Sequence, residues 1–148
     1  MPGCVGERSE LLTHDRVRVQ LGERELITGV RLPASAHPLR TAYLKQGEKE
    51  SFDWPPADVA VALDLAGGVC RAASVILGAA APVPLRALGA EKALAGKAVD
   101  EETARAAAAA AVAGATPLAR NAYKLPIFET LVRRALLAAS GAGGRFTE

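Results

Sequence analysis

Residues 57 to 65, ADVAVALDL, alternate along the chain. Val59, Val61, Leu63 and Leu65 fall on one face, and Ala60, Ala62 and Asp64 on the other. A period of two marks a half-buried strand. After Gly67-Gly68 the alternation resumes over residues 69 to 78, VCRAASVILG, with Val69, Ala73, Val75 and Leu77 opposed to Cys70, Ser74 and Ile76. Two such runs around a short glycine loop predict a β-hairpin. Upstream, LITGVRL at 26 to 32, closed by Pro33, and TAYLKQG at 41 to 47 predict two further strands.

The period changes after Pro82 and Pro84. Residues 85 to 95 read as a helix stopped by Gly96. Asp100 is placed to cap a second helix, and Glu101 and Glu102 suit its positive end. That helix runs through the alanines 106 to 111, which favour helix and let neighbours come close, and ends at Gly114 and Pro117. A third helix covers 122 to 139, with Pro126 in its first turn. Leu125, Phe128, Val132, Ala135, Leu136 and Ala139 recur at steps of three and four and form its inward face, while Glu129 and Arg133 form an i,i+4 pair. Strands followed by helices define an α+β fold: two layers, a small antiparallel sheet of three or four strands packed against three helices.

Composition limits the function classes. At 148 residues the chain holds one domain, or one domain with an arm. A net charge of +2 is too mild for a nucleic-acid partner, and the basic pairs Arg16/Arg18 and Arg133/Arg134 read as solvated faces. Cys4 and Cys70 have neither metal spacing nor a CxxC pattern, which fits a reduced cytoplasmic chain. No apolar run reaches the roughly 18 residues a membrane span needs. The first ten residues show no signal-peptide order.

The usual catalytic sets are missing. His14 and His37 stand alone, no G-x-S-x-G occurs, and no glycine-rich loop joins a strand to a helix N-terminus to cradle phosphates. Residue chemistry therefore predicts no catalytic residue, no metal site and no independent enzyme. What stands out is KQGEKESFDWPPADVAVAL at 45 to 63. Here a charged stretch runs into Phe52-Asp53-Trp54, two prolines and the alternating strand, and the only Trp of the chain sits at the junction.

Read together, GERELITGVRLP, TAYLKQGEKESFDWP, DVAVALDLAGGVCRAASVILGAAAPVPLRA, EKALAGK and NAYKLPIFETLVRRAL resemble one module. It is the C-terminal domain of the FAD-binding (medium) subunit of molybdenum hydroxylases. The carbon monoxide dehydrogenase type is the nearer relation and xanthine dehydrogenase the more distant. The resemblance covers residues 21 to 139. It implies three parts: an arm at 1–20 unlike the family, the family domain at 21–140, and a flexible tail at 141–148.

The resemblance also implies a role. In such enzymes electrons pass from a molybdenum cofactor through iron–sulfur clusters to FAD, and this domain covers one side of the flavin and packs on partner subunits. Lys45 matches the family's second-strand lysine near the isoalloxazine, and residues 52 to 55, FDWP, match the loop at the flavin's open side. On this view Lys45, Asp53 and Trp54 are the cofactor-binding residues. Lys45 would stabilise negative charge on the reduced ring, and Trp54 would pack on a neighbouring domain or subunit. Their ordinary readings stay open: a surface lysine, a turn aspartate and a Trp capping this domain's own core.

Two departures qualify the resemblance. The FAD-binding domain that carries the family's pyrophosphate loops is missing, so this chain is not expected to hold FAD alone. Its expected partners are that domain and the iron–sulfur and molybdopterin subunits. The second departure is Pro56, where the family has an aliphatic residue; it cannot donate to a ladder, so the strand should begin at or after Ala57. The alternatives are a stand-alone α+β interaction module that has lost the redox role, and a non-functional remnant. A homodimer is compatible with the first of these.

Overall fold

The structure, a computed structural model, describes residues 12–13, 16–19, 24, 26, 28–29, 38–47 and 53–142. Strands β1 (Leu12–Thr13) and β2 (Arg16–Val19) pair antiparallel in a small sheet of their own. The main sheet holds β3 (Arg40–Gln46), β4 (Ala57–Ala66), β5 (Val69–Gly78) and β6 (Leu85–Arg86), neighbours in that order and all antiparallel. Helices α1 (Leu88–Leu94), α2 (Glu101–Val112) and α3 (Lys124–Ser140) follow. Helix α3 packs on β3 and β4, α1 packs on β5, and α2 packs on both helices. This is the expected α+β arrangement of one small antiparallel sheet and three helices.

The alternation of β4 is what makes the core. Ala57, Val59, Val61 and Leu63 are buried, and Ala42 and Leu44 of β3 pack against them. From α3, Phe128, Leu131, Val132, Ala135 and Leu136 meet this face. A fully buried leucine such as Leu63 or Leu136 contributes about 1.5–3 kcal/mol. Strand β4 begins at Ala57, directly after Pro56, as the missing proline donor requires. Gly67 and Gly68 both take positive φ, 58° and 83°, and form the two-residue turn between β4 and β5.

Helix α2 is alanine-rich where it must approach α1. Ala104, Ala107 and Ala108 are buried, and a Cβ added to Gly89 of α1 would stand 2.6 Å from the carbonyl oxygen of Ala110. The Asp100 side chain accepts the Thr103 N–H at 2.8 Å and caps α2 as expected. Pro126 lies in the first turn of α3, and Gly141, at φ 81°, closes its C-terminus.

Several expectations need correction. Of the strand expected at 26–32, the described residues 26, 28 and 29 are not in a strand, and the others lie outside the described residues. The fourth strand of the sheet is instead Leu85–Arg86, read from the sequence as the start of a helix. Pro84 restricts the chain before it to extended conformations, and Leu85 and Arg86 complete hydrogen bonds on the edge of β5, opposite Leu77 and Ile76. Helix α1 therefore begins at Leu88.

Strand β5 is also not a single alternation. Asp64 pairs with Ala72 and Leu65 with Cys70, so Arg71 is an extra residue forming a bulge. The bulge reverses the parity before it. Cys70 is buried and Val69 is exposed, the opposite of the simple pattern. Arg71 then reaches Asp64 at 2.6 Å across the bulge. In α3, Leu125 is only half-buried, and Leu131 and Leu137 join the buried face. Arg133 bonds Glu101 of α2 at 2.8 Å in place of the expected Glu129 partner.

Candidate functional site

The sheet has two unlike faces. Its inner face carries the helices. Its outer face carries the odd residues of β3, Thr41, Tyr43 and Lys45, and the even residues of β4, Asp58, Ala60 and Ala62. Tyr43 stands opposite Ala60, and Lys45 opposite Asp58. On the far side of β4, Asp58 faces Gly78 of β5 and Ala60 faces Ile76. Tyr43 is 59% exposed, Lys45 is exposed, and Asp58 is half-buried.

Gly78 matters for this arrangement. A Cβ at that position would overlap the Asp58 carboxylate, so the carboxylate lies over the glycine. Burial pushes the Asp58 carboxyl above the ordinary carboxylate range, and the Lys45 ammonium acts against that rise. Burial, and then the charge of Asp58, push the Tyr43 hydroxyl up in turn. Tyr43, Lys45 and Asp58 therefore form one electrostatic group.

The three residues singled out in the sequence lie at the end of β3 and on the connection that leads into β4. Lys45 is one residue from the end of β3, whose last residue, Gln46, pairs with Ala57 at the start of β4. Asp53 and Trp54 lie on the segment that enters β4, and both are exposed. Lys45 and Asp53 each engage a partner. Trp54 is 93% exposed. It does not cap this domain's own core, so that reading is set aside. Phe52, His14, His37 and Cys4 lie outside the described residues.

The outer face offers a cation, a carboxylate and a phenol with no described helix over it, and Trp54 adds an exposed indole on the segment that enters β4. It has no nucleophile with an adjacent base. No cluster of histidine, cysteine and carboxylate suited to a metal occurs among the described residues. Cys70 is a free, buried thiol whose pKa is raised by burial and by Asp64. No helix among the described residues is long and apolar enough to cross a membrane. A separate groove of about 300 Å³ lies between Gln46 and α3, lined by Pro126, Ile127, Thr130, Leu131 and Arg134.

Asp58 was missed in the sequence because its pairing with Lys45 depends on the register of β3 and β4 across residues 47 to 56. No local pattern fixes that register.

Residues 42–139 match the family model described as the CO dehydrogenase flavoprotein C-terminal domain. The chain belongs to this family. Solved relatives include carbon monoxide dehydrogenase from Hydrogenophaga pseudoflava, 37% identical, with a TM-score of 0.68 over 76% of this chain and 40% of that one. Reconstituted CO dehydrogenase from Oligotropha carboxidovorans is 32% identical, with a TM-score of 0.64 over 71% and 38%. Quinoline 2-oxidoreductase from Pseudomonas putida 86 is 28% identical, with a TM-score of 0.65 over 70% and 38%. The chain thus spans about 40% of the length of the solved relatives it matches. No curated protein matches it.

Proposed function

We propose that this chain is the C-terminal domain of the FAD-containing electron-transfer subunit of a molybdenum hydroxylase. It covers the flavin site and packs on the rest of that assembly in the cytoplasm. The observation that carries this reading is Trp54, 93% exposed on the segment that enters β4, at a sheet whose outer face no helix covers among the described residues. An indole left in water combines a large apolar body with a polar N–H, the kind of side chain enriched at interfaces. The partners are an FAD-binding domain and the iron–sulfur and molybdopterin subunits.

The residues fit part of a flavin. Lys45 and Tyr43 offer a cation and an aromatic edge on the outer face, and Trp54 an exposed indole on the segment that enters β4. Among the described residues no strand passes through a glycine-rich loop into a helix, the element that would hold a pyrophosphate. On this reading the chain contributes a wall to the site, and the dinucleotide is held by the FAD-binding domain. When bound by the complete subunit, FAD supplies the electron acceptor. Lys45 acts from this wall by stabilising the negative charge that reduction places on the ring. The substrate is selected elsewhere, at the molybdenum site.

Equilibrium titration of FAD into the purified chain tests this reading. No tight binding is expected. Stoichiometric binding to the chain alone would overturn it.

A further inference from the structure

Asp58 sits in a built position on the outer sheet face. Its carboxylate lies over Gly78, where a Cβ would overlap it. Its cross-strand neighbour on β3 is Lys45. Asp64 and Arg71, on the β4–β5 hairpin of the same sheet, are closed on each other at 2.6 Å. We propose that Asp58 is a positioning residue that acts through Lys45, its neighbour across the β3–β4 ladder, partly offsetting the ammonium charge on the outer sheet face and thereby setting the reduction potential of the flavin this face covers. The inference rests on the proposed flavin role of Lys45.

A half-buried carboxylate is poorly solvated, so the nearest cation matters more to it than it would in water. Burial raises the Asp58 pKa and Lys45 lowers it, as a facing pair should. The same pairing acts on Lys45 in reverse, because a neighbouring negative charge cancels part of the ammonium field felt beyond it. Asp58 thus weakens the stabilisation that Lys45 gives the reduced ring, and it acts through Lys45.

Two measurements test this. The first uses the full chain alone. A ¹³C carboxyl NMR titration should place Asp58 at higher pH in Lys45→Met than in wild type, and coincident curves overturn the pair. The second uses the flavin-loaded assembly carrying wild type, Asp58→Asn, Lys45→Met and the double variant, in reductive titrations with dithionite. Asp58→Asn should shift the flavin midpoint potential upward and Lys45→Met downward. In the Lys45→Met background, Asp58→Asn should shift it little or not at all. Equal shifts in both backgrounds, or none in either, overturn the positioning role. Failure of every variant, wild type included, to carry flavin overturns the proposed function and this role with it, while the NMR titration still reads the pair. Asp58→Ser serves as the second variant should Asp58→Asn not fold.

Discussion

The Glu91 carboxylate of α1 accepts the backbone N–H of Val75 in β5 at 3.0 Å, from within the helix that covers that strand. The same oxygen accepts from Arg86 of β6 at 2.8 Å. Strand β6 is two residues long; beyond it the Ala87 N–H still donates to the Val75 carbonyl, and the Glu91 side chain supplies the acceptor for the Val75 N–H. Glu91→Ala leaves that part-buried N–H without its partner and should cost roughly 1–3 kcal/mol. Glu91→Gln keeps an acceptor and should cost less. Urea denaturation of the three proteins checks the order.

Gly89 tests the packing of α1 on α2. Alanine is the better helix former by up to about 1 kcal/mol. Its Cβ, however, would meet the Ala110 carbonyl oxygen at 2.6 Å, and backbone cannot turn aside as a flexible side chain can. Overpacking costs roughly 1–3 kcal/mol, so Gly89→Ala should destabilise. Gly114→Ala, with nothing within 4 Å, is the control and should be close to neutral. Thermal melts compare the two.

Two carboxylates should give opposite pH signatures. The Thr103 N–H holds the Asp100 carboxyl below the ordinary range. Its stabilisation is complete above the ordinary carboxylate pKa and is lost as pH falls through the lowered value. Asp100→Asn should therefore lower the melting temperature at neutral pH and matter less in strong acid. Burial raises the Asp58 pKa. Its favourable contribution is present below the ordinary value and is lost as pH rises through the raised one. Asp58→Asn should accordingly raise the melting temperature at neutral pH, a gain that fades in acid.

Trp54 separates a core role from a docking role. Trp54→Ala should change the stability of the chain alone by less than about 0.5 kcal/mol, as surface substitutions do. The same change should weaken assembly with the rest of the flavoprotein. Because Trp54 is the only Trp, its fluorescence reports directly. Emission should be at the water-exposed limit in the free chain and move to shorter wavelength on assembly.

Local pattern carried much of the fold, and long-range pairing carried what was misread. The period of β4, the Gly67-Gly68 turn, the Asp100 cap and Pro56 before Ala57 each act over a few residues, and each stands in the structure. The bulge at Arg71 depends on how two strands slide past one another, so the burial of Cys70 in place of Val69 had no local signal. Leu85 and Arg86 suit a helix or a strand, and the needs of the β5 edge decided between them. At the candidate site, Lys45 and Trp54 were visible as residues out of character with their surroundings. Asp58 and Gly78 were not, because only the sheet brings them beside Lys45.

The most direct measurement is a flavin spectrum together with a native mass on the chain recovered from its own host under mild conditions. The account predicts flavin absorbance and a mass well above the 15.3 kDa of the chain, with subunits that carry iron–sulfur clusters and molybdopterin. A colourless species at 15.3 kDa would contradict it and leave a stand-alone module.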